Sequence, residues 1–336
     1  MSAEFQLRTD RLRAAVIGCG WIGAGEAVNR DIVGVQSHAE AYSMHPRTCL
    51  SAVVDANLTT AQTAATRWQA ASCFDDPVDM LKAVRPEIVS ICTPDALHAS
   101  AIMTVLDSCP SVRAILAEKP LALTVQEARD ISAAANRRGV VLAVNYSRRY
   151  CPAYAQLRAE IASGALGDIQ QVHGFYGKGL VHNGTHWIDL LRFLCGEIVA
   201  LRVLQLPAHQ PCTPAVSMLL ENGGAAILQP CRPDAFTLFE MDILATRGRV
   251  RMLAGGLHME RHLVADSPYF AGYRELVCQS IQERCMTNSI VHAVSDVIAC
   301  LDQPGRQPAC TASDAIATLE LAISGVAQYQ SHRPNA

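Results

Sequence analysis

Short apolar runs alternate with alanine-rich periodic segments along the first 145 residues. Ala14–Ile17, Leu50–Val54, Ile88–Cys92, Val112–Ala117 and Val140–Val144 are too short for helices and are bounded by Gly, Pro, Asp or Glu, which predicts buried strands. Ala70–Phe74 adds a shorter one. Thr59–Ala71, Val78–Val84, the stretch from Asp95 through Leu106 and the segment after Thr124 predict helices between them. Asp76-Pro77 supplies an N-cap and a first-turn proline, and Thr124-Val125-Gln126-Glu127 is a capping box whose helix stops at Gly139. Strand and helix alternate six times, which predicts an α/β doubly wound parallel sheet.

The pattern changes from about Tyr146. A helix over Ala153–Ala162 ends at Gly164, and then strands follow without a helix between each: Ile169–Tyr176, Val216–Leu220, Ala225–Leu228, Met241–Thr246 and Arg249–Leu253. Asn222-Gly223 and Arg247-Gly248 mark the hairpin turns. With helices over Ile290–Leu301 and Ala312–Tyr329, this half predicts an α+β domain with an open, mainly antiparallel sheet. The expected division is residues 1–147 and 148–336, with the boundary between Asn145 and Pro152.

Half of the residues are hydrophobic, enough for two cores in 336 residues. A formal charge of −3 gives no reason to expect nucleic acid or an anionic membrane as a partner. Thirteen cysteines, odd in number and never spaced C-x-x-C, suit a reducing compartment. The start, MSAEFQLRTDRLR, has no apolar leader core and no apolar run approaches the length of a membrane span, so a cytoplasmic location is expected.

The candidate chemistry begins where the first strand breaks into Gly18-Cys19-Gly20-Trp21-Ile22-Gly23, the G-x-G-x-x-G spacing of a dinucleotide-binding turn. Gly18 permits the tight turn, Gly20 lets the backbone approach a pyrophosphate, Gly23 packs the following helix, and that helix's N-terminus holds negative charge. Asp55, ending the second strand without Arg or Lys beside it, suits the ribose hydroxyls of NAD rather than NADP. Capping of the next helix is the alternative role for Asp55. Asp55 also lies further from Gly23 than the usual ~20 residues, because of a polar insertion, Glu26–Gln36, which reads as a loop.

In an open parallel sheet the residues leaving strands one, four, five and six become neighbours, which gathers the glycine turn, Thr93-Pro94, Glu118-Lys119-Pro120 and Asn145. Lys119, partly desolvated beside a cationic ring, would have a lowered pKa and could exchange a proton with a substrate hydroxyl. A solvated surface lysine before a turn proline is the plain alternative.

Together with Cys92-Thr93-Pro94-Asp95-Ala96-Leu97-His98, Ala117-Glu118-Lys119-Pro120-Leu121, Asn145-Tyr146-Ser147-Arg148-Arg149-Tyr150 and Gly184-Thr185-His186-Trp187-Ile188-Asp189-Leu190, the glycine turn resembles the Gfo/Idh/MocA family of NAD(P)-dependent oxidoreductases over nearly the whole chain. The resemblance implies a Rossmann domain and a second domain whose open sheet makes a homodimer or homotetramer. It implies NAD held by Gly18, Gly20, Trp21, Ile22, Gly23, Asp55, Thr93, Pro94, His98, Glu118, Lys119 and Asn145. It also implies Lys119 and His186 as catalytic pair, and a sugar site built from Lys119, Tyr146, Arg148, Asn183 and His186. Arg148 and Arg149 could pair with anionic ligand groups or clamp the domains.

The family usually has Asp four residues before the catalytic histidine, where this chain has His182. His182 would then orient or relay protons. A metal shared by His182 and His186 is disfavoured, since Gly184 opposes a helix there and no third ligand is evident. The His-Asn-Gly-Thr-His variant resembles members acting on nucleotide-linked amino sugars, which implies oxidation at C3 of a substrate such as UDP-N-acetylglucosamine. A free-sugar or inositol dehydrogenase, an NAD-dependent glycosidase and a non-catalytic sensor of NAD or sugar remain the alternatives.

Overall fold

The computed structural model describes residues 11–204, 213–232 and 234–331. Most of the start read above, Met1–Asp10, and one of the cysteines, Cys212, lie outside the described residues. The chain forms two compact units. One runs to Tyr150 and takes back Asn288–Ile316; the other is Cys151–Thr287 with the chain from Ala317 onward.

In the first unit, β1 (Leu12–Ile17), β2 (Thr48–Val54), β3 (Cys73–Phe74), β4 (Ile88–Ile91), β5 (Ala114–Ala117) and β6 (Val141–Val144) form a parallel sheet in the order β3-β2-β1-β4-β5-β6. Every residue of β4 and β5 is buried, as expected of strands covered on both faces. The order reverses between β1 and β4, which puts the switch point between the glycine turn and Cys92-Thr93. The third strand is only two residues, because the helix Leu58–Trp68 ends with Gln69 in the left-handed region and the chain needs Ala70–Ser72 to return to the sheet.

The helix caps follow the sequence signals. Asp76 accepts from Val78 N and Asp79 N at the start of Pro77–Val84. The reciprocal bonds between Thr124 and Glu127 open Val125–Arg138, and Gly139 closes it in the left-handed region. Thr124→Ala should cost about 1 kcal/mol of stability, read by urea unfolding, with no change in ligand binding.

The second unit is built on β7 (Ile169–Tyr176), β8 (Ile198–Leu204), β9 (Ala215–Leu220), β10 (Ala225–Pro230), β11 (Glu240–Ala245), β12 (Gly248–Leu253), β13 (His258–Asp266) and β14 (Arg274–Gln282). They lie in the order β14-β13-β12-β11-β7-β10-β9-β8, all neighbours antiparallel except β7 and β10. The helices Pro152–Ala162 and Thr185–Cys195 belong to this unit, with Tyr154, Trp187 and Leu191 fully buried in its core. Among the described residues no helix is long and apolar enough to cross a membrane.

Candidate active site

The chain leaves β1 through Gly18 at φ +97°, where a Cβ would sit 2.5 Å from the carbonyl group of Cys92. Gly18 N donates to Val54 O and Cys92 N to Ile17 O, both at 2.7 Å, so the turn is tied to the ends of β2 and β4. A methyl on Gly23 would overlap the Gly18 carbonyl oxygen, whereas a Cβ on Gly20 would meet nothing within 4 Å. Two glycines are therefore demanded by packing, and the third leaves open space. Trp21 is exposed and Ile22 half-buried beside it.

The helix expected after this turn is a single turn, Trp21–Ala24, and the chain breaks at Gly25. Trp68 Nε1 donates to Ala24 O at 2.7 Å and satisfies the freed carbonyl. So short a helix gathers little dipole, and its exposed backbone N–H groups are what the turn offers an anion. The insertion is likewise more ordered than a loop. Arg30–Val33 is helical, Arg30 pairs with the buried Glu40, and Val35 N donates to Asn288 Oδ1 at 2.9 Å. The sequence signal for a loop was its polarity, which instead serves these anchors.

Asp55 accepts from Cys19 N at 2.9 Å through Oδ2 and from Asn57 N at 3.0 Å through Oδ1. The cap of the following helix is Asn57, whose side chain accepts from Thr59 N and Thr60 N. Asp55 thus stays at the rim of the glycine turn.

Glu118 and Lys119 leave β5, and the Lys119–Pro120 peptide is cis. The carboxylate of Glu118 turns inward. Its Oε1 accepts from His38 Nε2 at 3.0 Å and from Asn145 Nδ2, which leaves β6, at 2.6 Å. Burial pushes Glu118 up, but the bonds from His38 and Asn145 and the charge of Lys119 more than offset it, and its pKa lies below the usual carboxylate range. Burial pulls the Lys119 ammonium below the usual lysine value, with Glu118 and Asp95 recovering part of that shift. Lys119 is therefore not an ordinary solvated lysine.

His98 is buried, with Nδ1 2.6 Å from Pro120 O and Nε2 2.8 Å from Thr93 O. Its ring joins the segments after β4 and β5 and ties Thr93 to Pro120. Pro94 itself precedes the 3-10 turn Asp95–Leu97. Tyr146 is buried, and Arg148 is half-buried on the turn Ser147–Tyr150. Arg149 is held by Asp314 at 3.1 Å and donates to Ala309 O, so it anchors the returning segment of its own unit.

In the second unit, Leu180–Gly184 is a π-helical turn that runs directly into Thr185–Cys195. Gly184 lies inside this continuous helical segment, contrary to the expectation that it breaks a helix. A Cβ there would approach Leu180 Cδ1, the end of a side chain, to 2.8 Å. His182 is exposed and Asn183 and His186 are half-buried on the segment. Among the described residues no group of three or more His, Cys, Asp or Glu could hold a metal.

The first unit fits a dinucleotide on its own atoms. The turn leaves open space at Gly20, a carboxylate stands at the end of β2, and Thr93 Oγ1 and Asn145 Oδ1 are buried with no hydrogen-bond partner among the described residues. Gly18, Gly20, Gly23, Asp55, Thr93 and Asn145 would hold NAD, with Lys119 beside them. Sequence reasoning missed His38, Ser90 and Tyr42, which lie beneath this rim. They sit on the helix His38–Met44 and on β4, and nothing in an apolar pattern marks a buried polar chain.

Comparison with known proteins agrees with this geometry. Residues 12–146 match the model of an oxidoreductase family with an NAD-binding Rossmann fold. The chain is 34% identical over 158 residues, 47% of its length and 41% of the relative's, to D-glucoside 3-dehydrogenase of Escherichia coli (strain K12). It spans 41%, 43% and 48% of three such curated relatives, less than half of each. Among solved structures it superposes on UDP-N-acetylglucosamine 3-dehydrogenase GnnA from Acidithiobacillus ferrooxidans with TM-score 0.72 at 20% identity, covering 95% of this chain and 97% of that one. It superposes on GenD2 from gentamicin A biosynthesis in complex with NAD with TM-score 0.73 at 25% identity, covering 97% of both.

Proposed function

We propose that this chain, whose residues 12–146 match the model of the Gfo/Idh/MocA oxidoreductase family with its NAD-binding Rossmann fold, is an NAD-dependent dehydrogenase that oxidises a secondary alcohol of a sugar to a ketone. The observation that carries it is Lys119, a desolvated amine at the end of β5 on the rim that also holds the glycine turn, Thr93 and Asn145. NAD, when bound, supplies the hydride acceptor. Neutral Lys119 Nζ takes the hydroxyl proton, and the C–H electron pair leaves with its hydrogen as hydride. Asp55 binds the adenosine ribose, and Asn145 and Thr93 offer polar atoms to the other end. On the same proposal His186 shares the proton handling, His182 orients it, and Tyr146, Arg148 and Asn183 contact the sugar.

The finer proposal is oxidation at C3 of a nucleotide-linked amino sugar such as UDP-N-acetylglucosamine. It is supported by the His182-Asn183-Gly184-Thr185-His186 variant and by the fold shared with GnnA. A simple glycoside oxidised at the same carbon is the second reading, favoured by the 34% identity to a D-glucoside 3-dehydrogenase. Reduced-nicotinamide absorbance across UDP-sugars, glycosides, free sugars and inositols separates them: turnover of glycosides alone would remove the nucleotide sugar. A cytoplasmic homodimer or homotetramer is proposed as the working form, joined through the second sheet, whose outward residues include Phe175 and Leu219. Light scattering that returns a monomer would refute it.

The base role has a pH signature. Only neutral Lys119 accepts a proton, so kcat/KM should rise with pH and level off above the amine's pKa. Because burial lowers that pKa, the rise should be complete below the range of an ordinary lysine. A profile still climbing through that range would argue against Lys119.

A further inference from the structure

Beneath the site rim lies a buried chain of polar side chains that the catalytic proposal does not use. Tyr42 OH and Ser90 Oγ are 2.8 Å apart, Ser90 Oγ and His38 Nδ1 2.7 Å, and His38 Nε2 and Glu118 Oε1 3.0 Å. Tyr42, Ser90 and His38 are fully buried. At its Tyr42 end the chain is closed to solvent.

Its polarity is set from the carboxylate end. An ionised carboxylate only accepts, so His38 Nε2 carries the hydrogen toward Glu118. Ser90 then donates to His38 Nδ1, and Tyr42 to Ser90, and every member is satisfied. The same rule applies to Asn145: the atom 2.6 Å from Glu118 Oε1 is the amide nitrogen. Its carbonyl oxygen is turned the other way, and that is the buried acceptor without a partner.

We propose that His38 is a positioning residue: by holding Glu118 against Asn145 it fixes the direction of the Asn145 amide, so that the site presents Oδ1, an acceptor, to a carboxamide N–H of the bound cofactor. The helix that follows the insertion thereby decides which hydrogen-bonding group the site offers at the end of β6, five strands later in the chain. Without His38, Glu118 can turn, and the amide of Asn145 can present either end. This proposal rests on NAD being the cofactor.

The test compares affinity for NAD with that for its 3-acetylpyridine analogue, in which an acetyl group replaces the carboxamide and removes the N–H. Calorimetric titration of the wild-type protein should show NAD bound about tenfold more tightly, the size of one buried hydrogen bond. His38→Leu should bring that ratio close to one, while His38→Gln, which keeps an N–H toward Glu118, should retain it. A ratio near one in the wild type, an unchanged ratio in His38→Leu or a lost ratio in His38→Gln would overturn the proposal. Should His38→Leu fail to fold, Asn145→Ala reads the same acceptor: loss of the ratio supports it, and persistence overturns it. A wild-type protein that binds neither dinucleotide overturns the NAD proposal itself, an outcome distinct from equal binding of both.

Discussion

Lys119→Met should lower kcat for the sugar substrate about a thousandfold, the usual size of a lost general base, while NAD affinity stays within about twofold. Met fills much the same volume and removes only the amine, and the half-buried side chain of Lys119 ends a strand whose own residues are buried. The loss should therefore appear in kcat and not in stability. Loss of NAD binding together with rate would make Lys119 a structural member of the site. An unchanged rate would show that Lys119 is not the base.

Gly23→Ala should have the second large effect. The added methyl meets the Gly18 carbonyl oxygen, a backbone atom fixed by the bond from Gly18 N to Val54 O. Neither side can yield without moving the turn away from β2 and β4. A destabilisation of about 3 kcal/mol, at the upper end for overpacking, is expected in urea unfolding. Calorimetry should find NAD affinity lowered at least about a hundredfold, since the N–H groups that face a pyrophosphate move with the turn. Gly20→Ala is the informative companion: its methyl enters open space, so folding should survive while NAD binding falls.

The first sheet was legible because strands buried on both faces are continuous apolar runs, and because Gly18, Asp76-Pro77, Thr124-Glu127 and Gly139 punctuate them chemically. Much of the second sheet was not. The strand β14 is exposed at nearly every position, so it shows no alternation to read. β13 carries His, Glu and Arg in charged pairs, among them Glu260 across the sheet with Arg251 and along its own strand with His262. The return of Asn288–Ile316 to the first unit is equally invisible, since order along the chain does not reveal which core the amphipathic helix Ser289–Asp302 joins.

At the site, sequence order found the residues that leave strand ends, because topology alone gathers them. It gave no sign that the His98 ring faces two backbone carbonyls, a contact that no pattern reveals. It also read Gly184 as a breaker, although Gly184 lies within a continuous helical segment against Leu180. Both have one cause: the residue type was weighed without its neighbour.

Hydride transfer from a sugar carbon is tested most directly by label. The protein should be mixed with NAD and a sugar or UDP-sugar carrying deuterium on all ring carbons, and the reduced nicotinamide weighed by mass spectrometry. We expect reduced dinucleotide one deuterium heavier than that from unlabelled sugar, formed at a rate that collapses in Lys119→Met. Reduced nicotinamide without the label, or none formed from any sugar of the panel, would contradict the account.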